Sequence, residues 1–386
     1  MVFYTQSLLR RITSGHVRMF GTALEAIKVP EEPPQTFRTI ENNPANHTID
    51  HMNRFYTIAP EIQKQLFQHG GLTKFFQKQV KTFAECSILI RQPAIEIISY
   101  IRQSDYSKPP NKYVLYGEFG VGKSTTLVHL IHYAFATRKI LIHVPWAQNW
   151  FSRPRETANS IVHEGNIDLP IDAAAWLVHF KNQNHYLLSE LDLRVTKDYA
   201  WSHRETTSNG TPLLEMINFG INRIKFASEI INVLINELKE ASRDGKCSTM
   251  VAIDGYNAFF SEYSAIRDDN KKVVPPSRVS LTHAFLNITK SDWCNGIIVV
   301  AVDILATKDR RESYLPRFLL NKEGFEHMDP FLPVHVKNYT TDEFEIIAEY
   351  YKNRKWIRDI SKQGLRELQL LSQNNPYKFM EYCTPL

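Results

Sequence analysis

Short apolar stretches alternate along this chain with segments in which apolar residues recur every three or four positions. The apolar stretches predict buried strands, and the three-to-four spacing predicts helices with one buried face. Five strands are predicted, in the stretches KYVLYG, KILIHVP, MVAID, GIIVVAVD and PFLPVHV. Because buried strands alternate with helices, the pattern predicts an α/β fold with a parallel sheet that helices cover on both faces.

Helices are predicted before and between these strands. Residues 60–89 suggest two helices broken at Gly70-Gly71, and Pro93–Gln103 and Lys123–Arg138 each form a further helix. Another is expected around Ala173–Leu188. The residues from about 25 to 55 contain four prolines and little periodicity, so an extended arm is expected there.

The clearest helical pattern is GTPLLEMINFGINRIKFASEIINVLINELKEASRDG. Thr211 is expected to cap this helix, Pro212 to occupy its first position and Gly245 to close it. The apolar positions repeat at helical spacing through the whole stretch. A single long helix with a core-facing stripe is therefore predicted.

The stretch LYGEFGVGKSTT matches the phosphate-loop pattern G-x-x-x-x-G-K-[ST] and lies between a predicted strand and a predicted helix, as this motif requires. Glycines let backbone N–H groups turn toward an anion, and the start of a helix adds partial positive charge. Lys123 is expected to reach the outer phosphates of a nucleotide. The nucleotide-binding residues are predicted to be Gly117, Glu118, Phe119, Gly120, Val121, Gly122, Lys123, Ser124 and Thr125.

A magnesium site is also predicted. Ser124 is expected to ligate Mg²⁺, and Asp254, which ends the strand MVAI, is expected to hold the ion through water. Hydrolysis further needs a group that orients or deprotonates the attacking water. In many phosphate-loop ATPases an acid follows the magnesium-linked Asp, whereas Gly255 follows here, and Asn257 could at most position water.

Other candidates for catalysis are weaker. Asp303 stands where a sensor of the γ-phosphate is expected, but an acid repels phosphate, so a structural or supporting role is favoured. Arg310, Arg311 and Arg317 are either charge-stabilising residues or a solvated basic loop. Because each missing catalytic element costs orders of magnitude in rate, we expect tight holding with slow or absent turnover.

The base of the nucleotide is weakly encoded. The segment NKEG resembles the guanine-reading pattern N-K-x-D, but its fourth residue is Gly324, so the carboxylate that would bind guanine is missing. The residue chemistry alone does not separate ATP from GTP.

Charge is distributed unevenly along the 386 residues. Residues 1–24 contain Arg10, Arg11, Arg18 and no acid, which is typical of a mitochondrial presequence, although a basic tail is the alternative. The remainder holds 43 basic and 41 acidic residues, so binding of nucleic acid through bulk charge is not expected.

No apolar run of about 18 residues exists, so no membrane insertion is expected. The four cysteines lie far apart without a C-x-x-C pair, and reduced thiols are expected.

Four stretches together resemble one known family, that of death-associated protein three, a GTP-binding protein of the mitochondrial small ribosomal subunit. They cover most of residues 110–386 and read LYGEFGVGKSTTLVHLIHYA, YAWSHRETTSNGTPLLEMINFGINRIK, MVAIDGYNA and YLPRFLLNKEGFEHMDPFLPVHVKNY. The second and fourth are far more specific than a phosphate loop. Trp201, Arg204 and Glu205 lie in the second, and a buried structural network is the default expectation for them.

The resemblance implies a P-loop NTPase fold similar to AAA+ and STAND ATPases, with a small C-terminal helical region. It implies a place in the head of the small subunit, facing the large subunit, in the mitochondrial matrix. The implied partners are small-subunit ribosomal proteins, ribosomal RNA and the large subunit. It further implies GTP or GDP with Mg²⁺ as cofactors, with ATP still possible, and a link to apoptosis.

The expected organisation has four parts, and three functions stay open. Residues 1–24 are the presequence, 25–92 the N-terminal arm and helices, 93–338 the nucleotide-binding domain, and 339–386 the C-terminal helical region.

The first of the open functions is that of a structural subunit of the mitochondrial ribosome that a nucleotide stabilises. The alternatives are an active P-loop NTPase that acts as a soluble switch and a DNA-associated ATPase of AAA+ type.

Overall fold

The computed structural model describes residues 37–308, 312–358 and 360–384. The predicted presequence, Arg310 and Arg311 lie outside these ranges. Three two-stranded sheets and one five-stranded sheet form within them. The strands are β1 Phe55–Ile58, β2 Cys86–Leu89, β3 Asn111–Tyr116, β4 Ile140–Val144, β5 Ala158–Asn159, β6 Ile167–Asp168, β7 Tyr199–Ser202, β8 Glu205–Thr207, β9 Thr249–Asp254, β10 Gly296–Ala301 and β11 Leu332–His335.

Helices precede, connect and follow these strands. The first seven are α1 Pro60–Phe67, α2 Lys74–Phe83, α3 Gln92–Gln103, α4 Lys123–Ala136, α5 Gln148–Ser152, α6 Pro170–Glu190 and α7 Leu213–Asn222. The others are α8 Ala227–Arg243, α9 Ser280–Ile288, α10 Pro316–Leu319, α11 Asn321–Met328, α12 Thr341–Asn353, α13 Lys362–Ser372 and α14 Pro376–Cys383. Among the described residues, none of these helices combines the length and apolarity needed to cross a bilayer.

The central sheet has the strand order β11-β3-β10-β9-β4, and all four pairings in it are parallel. Alternate residues of one strand enter different cores: Val114 packs on one face of the sheet, and Tyr113 and Leu115 pack on the other. Both faces are thus covered by apolar side chains. The predicted α/β class, a P-loop parallel sheet between helices, is confirmed.

The long helix predicted over residues 211–245 is wrong as a single element. The chain forms α7, turns at Arg223 and continues as α8. A Cβ on Gly220 would lie 2.7 Å from Leu177 Cδ1 of α6 and 3.0 Å from Ile230 Cδ1 of α8. Gly220 thus lets α7 approach α6 and α8 closely, an arrangement that the periodicity of a single helix does not encode.

A third apolar cluster joins the two ends of the described chain. Phe37, Phe55 and Phe83 from its beginning pack with Phe344 and Tyr350 of α12. The arm and the C-terminal helices therefore share one core. The boundaries predicted after residues 24, 92 and 338 stay predictions.

The stretch around Trp201 forms a hairpin, β7–β8, in place of the expected buried network. Trp201 is half-buried and its indole N–H donates to Thr207 Oγ1 at 2.8 Å, while Arg204 is exposed. Glu205 pairs with Arg223 at 2.8 Å. A short hairpin with a polar tip leaves these side chains partly in water, so the expectation of burial is wrong.

Candidate functional site

The phosphate loop connects β3 to α4, and its glycines take conformations that other residues rarely adopt. Gly117, Gly120 and Gly122 have φ values of 150°, 81° and 97°. A Cβ on Gly120 would lie 2.6 Å from Tyr377 Cβ, so the loop also fits closely against the C-terminal region. These positions need glycine for both backbone and packing reasons.

Lys123, the first residue of α4, is almost completely buried. Its ammonium donates to the backbone carbonyls of Gly117, at 3.0 Å, and Glu118, at 2.8 Å. It also lies 2.8 Å from Asp303 Oδ2. The lysine therefore has three oxygen partners, which match its three donors. Asp303, for which the sequence favours a structural or supporting role, therefore contacts the phosphate-loop lysine directly.

Asp254, at the end of β9, is buried beside the start of α4. Burial, together with the charge of Asp303, raises the pKa of its carboxyl to about 7, although a hydrogen bond from Ser124 and the charge of Lys123 act in the opposite direction. The structure thus brings together the two predicted ligands of Mg²⁺. β9 and β10 are adjacent parallel strands, so Asp254 and Asp303 meet at the carboxyl edge of the sheet.

Asn257 does not serve as a water-positioning group, and this part of the prediction is wrong. Its Nδ2 donates to the backbone carbonyl of Asp303 at 2.9 Å, and its Oδ1 accepts from the backbone N–H of Asp303 at 3.0 Å. The side chain is completely buried. Both ends of the amide are committed to fixing the segment that carries Asp303.

Arg91 ties the loop to the beginning of α12. One nitrogen donates to the Val121 carbonyl at 2.7 Å, and Nε and Nη2 bind the two carboxylate oxygens of Glu343 at 2.9 and 3.2 Å. Glu343 also accepts from the backbone N–H of Thr340 in a capping box. No sequence pattern indicates a role for Arg91, because a single arginine before α3 matches no motif.

The beginning of α14 makes a second connection to the loop. Asn375 Nδ2 donates to the Phe119 carbonyl at 2.9 Å, and the Tyr377 N–H donates to the Gly120 carbonyl at 3.1 Å. The rings of Phe119 and Tyr377 lie 5.1 Å apart. Three consecutive loop carbonyls, at positions 119 to 121, are thus held by residues distant in sequence.

A cavity of about 1040 Å³ opens on the loop. Phe119 to Thr125 line it together with Asp254 and Asp303, whereas Gly117 and Glu118 are not part of the lining and contribute their carbonyls to Lys123. Aromatic and aliphatic side chains form another part of the wall: Phe75, Tyr339, Ile347, Tyr351, Tyr377 and Met380. Pockets that bind small molecules combine such an apolar wall with a few polar groups.

Besides the predicted Lys123, cationic side chains that the sequence did not indicate line the cavity. Arg153 and Lys308 line it, and both are exposed. Arg317 is exposed on α10 and does not line the cavity, which favours the alternative of a solvated basic residue. The NKEG segment begins α11, where Asn321 Nδ2 donates to the Phe260 carbonyl at 3.0 Å, and it too lies away from the cavity.

The residues present fit a nucleotide with Mg²⁺. The glycine loop, the unpaired N–H groups of the first turn of α4 and the Lys123 charge are suited to phosphates. One hydroxyl and one carboxylate, Ser124 and Asp254, suit Mg²⁺, which keeps several waters and shares phosphate oxygens. The volume suits a nucleotide, since ligand pockets span roughly 300–1,000 Å³.

Comparison of the whole chain with known proteins shows which family it resembles. Residues 88–382 match the family model described as mitochondrial ribosomal death-associated protein 3. The small ribosomal subunit protein mS29 of Bos taurus is 35% identical over 364 residues, which are 93% of this chain and 91% of that protein. Its counterpart in Mus musculus is 34% identical over 375 residues, covering 96% and 95% of the two chains.

Solved structures resemble the chain more distantly. The Walker-type ATPase PABY2304 of Pyrococcus abyssi is 13% identical, with a TM-score of 0.41 over 75% of this chain and 65% of that one. The ORC2 protein of Aeropyrum pernix, in ADPNP-ADP complexes, is also 13% identical, with a TM-score of 0.35 over 74% and 58%.

Proposed function

The chain belongs to the mitochondrial ribosomal death-associated protein 3 family, and from this premise we propose that it is a structural protein of the mitochondrial small ribosomal subunit that holds a purine nucleotide. Relatives named as small ribosomal subunit proteins, similar over more than nine tenths of both chains, support the ribosomal part. The proposed place is the head of the subunit, facing the large subunit, in the mitochondrial matrix. The proposed neighbours are small-subunit proteins and ribosomal RNA.

The observation that supports nucleotide holding is the buried Lys123 at a glycine loop that opens on the cavity. Loop residues from Gly117 to Thr125 would hold the phosphates, and Ser124 and Asp254 would hold Mg²⁺. The bound ion would neutralise phosphate charge. By the family resemblance the nucleotide is GTP or GDP, and ATP is the alternative.

We favour nucleotide binding without rapid hydrolysis, because the residues that follow Asp254 have structural roles. Gly255 provides no acid, and Asn257 is consumed by the backbone of Asp303. The nucleotide would instead join separate parts of the chain, since the loop is bonded to α12 through Arg91 and to α14 through Asn375. A ligand that binds only the folded state adds about 2.7 kcal/mol at a hundredfold excess over Kd.

Thermal unfolding with and without GTP-Mg²⁺ tests the nucleotide part. Nucleotide should raise the Tm of the unmodified chain but not that of Lys123→Ala. Lys139→Ala is the matched control, because Lys139 is also a buried lysine but bonds Ser248 at 3.0 Å, away from the cavity. Its nucleotide-dependent rise should persist.

Two further measurements separate the proposal from its alternatives. Sedimentation of the tagged chain from mitochondria should place it with small ribosomal subunits. Single-turnover hydrolysis by the pure chain should be far below the roughly 1–10³ s⁻¹ usual for enzymes. A soluble pool with fast turnover would instead establish the NTPase switch.

A further inference from the structure

Asp303 presents one carboxylate oxygen to Lys123 from a rigid position. Oδ1 accepts from the Leu305 N–H at 2.8 Å and so caps the short helix that follows. The backbone of Asp303 is fixed on both sides by Asn257. The remaining oxygen, Oδ2, lies 2.8 Å from Lys123 Nζ. Three independent contacts therefore hold this acid against the lysine.

The lysine has little capacity left for a further anion. Its other two partners are carbonyls of its own loop, at 3.0 and 2.8 Å. Asp254, a second acid that lines the same cavity, lies at the end of the neighbouring strand. An outermost phosphate that approached Lys123 would have to displace Asp303 or share the lysine with it.

We propose that Asp303 makes this site select nucleoside diphosphates over nucleoside triphosphates, an inference that rests on the nucleotide-holding function proposed above. Its carboxylate takes the place of the outermost phosphate beside Lys123. A diphosphate needs only the loop N–H groups and the shared lysine. A triphosphate adds negative charge next to an acid that cannot turn away, and like charges at short range in a partly buried site repel strongly.

The rigidity of Asp303 distinguishes selection from simple weak binding. A mobile surface acid would turn into water and leave the lysine free, so both nucleotides would bind alike. Asp303 would have to give up its cap on Leu305 or its pairing with Asn257 to do so. Because Asp303 stays in place, its repulsion of the outermost phosphate lowers the affinity for a triphosphate and not that for a diphosphate.

The test measures the affinity of the full-length chain for fluorescently labelled GDP, GTP, ADP and ATP with Mg²⁺. The unmodified chain should bind the diphosphate of its preferred base at least tenfold more tightly than the triphosphate. Asp303→Asn keeps the shape and an oxygen for Leu305 but removes the charge, so triphosphate affinity should rise until the preference is lost. Asp303→Ser, which also retains a capping oxygen, gives a second variant should the first not fold.

The matched control is Asp292→Asn. Asp292 lies 2.7 Å from the ammonium of Lys239 and outside the phosphate-loop cavity, so the substitution removes a similar ion pair without touching the site. Its preference for diphosphate should equal that of the unmodified chain. Equal affinities for the two nucleotides in the unmodified chain, or an unchanged preference in both Asp303 variants, would overturn this inference alone. Failure to bind any nucleotide would overturn the proposed function as well.

Discussion

The ring of Trp146 lies where a side chain at position 255 would project. A Cβ built on Gly255 would come within 3.1 Å of Trp146 Cε3 and 3.2 Å of Cζ3. Gly255 also has a φ of 69°, in the left-handed region. At the position after Asp254, where many phosphate-loop ATPases carry an acid, a side chain would thus meet a strained backbone and would require the Trp146 ring to shift.

Any side chain at position 255 should therefore destabilise the protein, and Gly255→Ala is the smallest such change. Left-handed backbone costs roughly 1–2 kcal/mol for a residue with a Cβ, and overpacking costs about 1–3 kcal/mol more. Gly245→Ala is the control for the backbone cost alone, because Gly245 has a φ of 71° and open space around it. Denaturant unfolding should show a larger loss for Gly255→Ala than for Gly245→Ala, and equal losses would contradict the role of Trp146.

The sequence predicted the phosphate loop, its strand and helix, and Asp254 because these depend on local spacing. β3 and α4 form within one or two residues of the predicted bounds. Three of the four fixed motif positions, Gly122, Lys123 and Ser124, also line the cavity. Local geometry is what a short motif encodes.

The connections around the loop could not be predicted in the same way. Arg91 and Glu343 are 252 residues apart, and Asn375 reaches Phe119 across 256 residues. No periodicity links such positions, because tertiary packing alone brings them together. The same reason applies to Asn257, because its pairing with the backbone of Asp303 is a tertiary contact across 46 residues that the sequence does not encode.

Arg91 should contribute to both the stability of the fold and the grip of the loop. Arg91→Ala leaves Glu343 buried without its partner, and breaking a buried pair costs about 3–5 kcal/mol. Arg91→Lys keeps the charge but loses the two-pronged contact, so an intermediate loss is expected. Denaturant unfolding measures the stability, and the nucleotide-dependent rise in Tm measures the grip.

The control for Arg91 is Arg138→Lys. Arg138 pairs with Glu190 on the surface, where both side chains are about half exposed, and surface pairs contribute little. This variant should unfold like the unmodified chain. A loss as large as that of Arg91→Lys would show that the connection between the loop and α12 has no special weight.

Residues 1–24 should direct import into mitochondria. Replacing Arg10, Arg11 and Arg18 by glutamate reverses the charge of a segment that has no acid of its own. Fractionation of cells should then find the variant in the cytosol. Three arginines changed elsewhere on the surface, Arg204, Arg267 and Arg317, form the control, and that variant should still be imported.

Three histidines, His47 on the arm and His129 and His132 on α4, should make stability depend on pH below neutrality. His47 Nδ1 lies 2.9 Å from His129 Nε2, and the Tyr56 ring stacks on His132 with centroids 5.7 Å apart. Burial lowers the pKa of His129 well below its ordinary value and that of His132 to about 4. The buried Nδ1 atoms of His129 and His132 have no hydrogen-bond partner within the described chain, so a proton added to either atom would stay unpaired.

The sign of the effect follows from these lowered pKa values. An unfolded histidine titrates near its ordinary pKa of about 6.5, so below that pH the unfolded chain binds more protons than the folded one. Stability is complete above about pH 6.5 and falls as the pH drops toward 4, by about 3 kcal/mol for His132 alone. His132→Gln, which carries no titrating ring, should flatten this acid limb, measured as the free energy of unfolding between pH 7 and pH 4. The control is His185→Gln, which removes an exposed ring from α6 and should leave the pH dependence of the unfolding free energy unchanged. If His132→Gln and the unmodified chain lose the same unfolding free energy between pH 7 and pH 4, the buried histidines do not set the acid sensitivity.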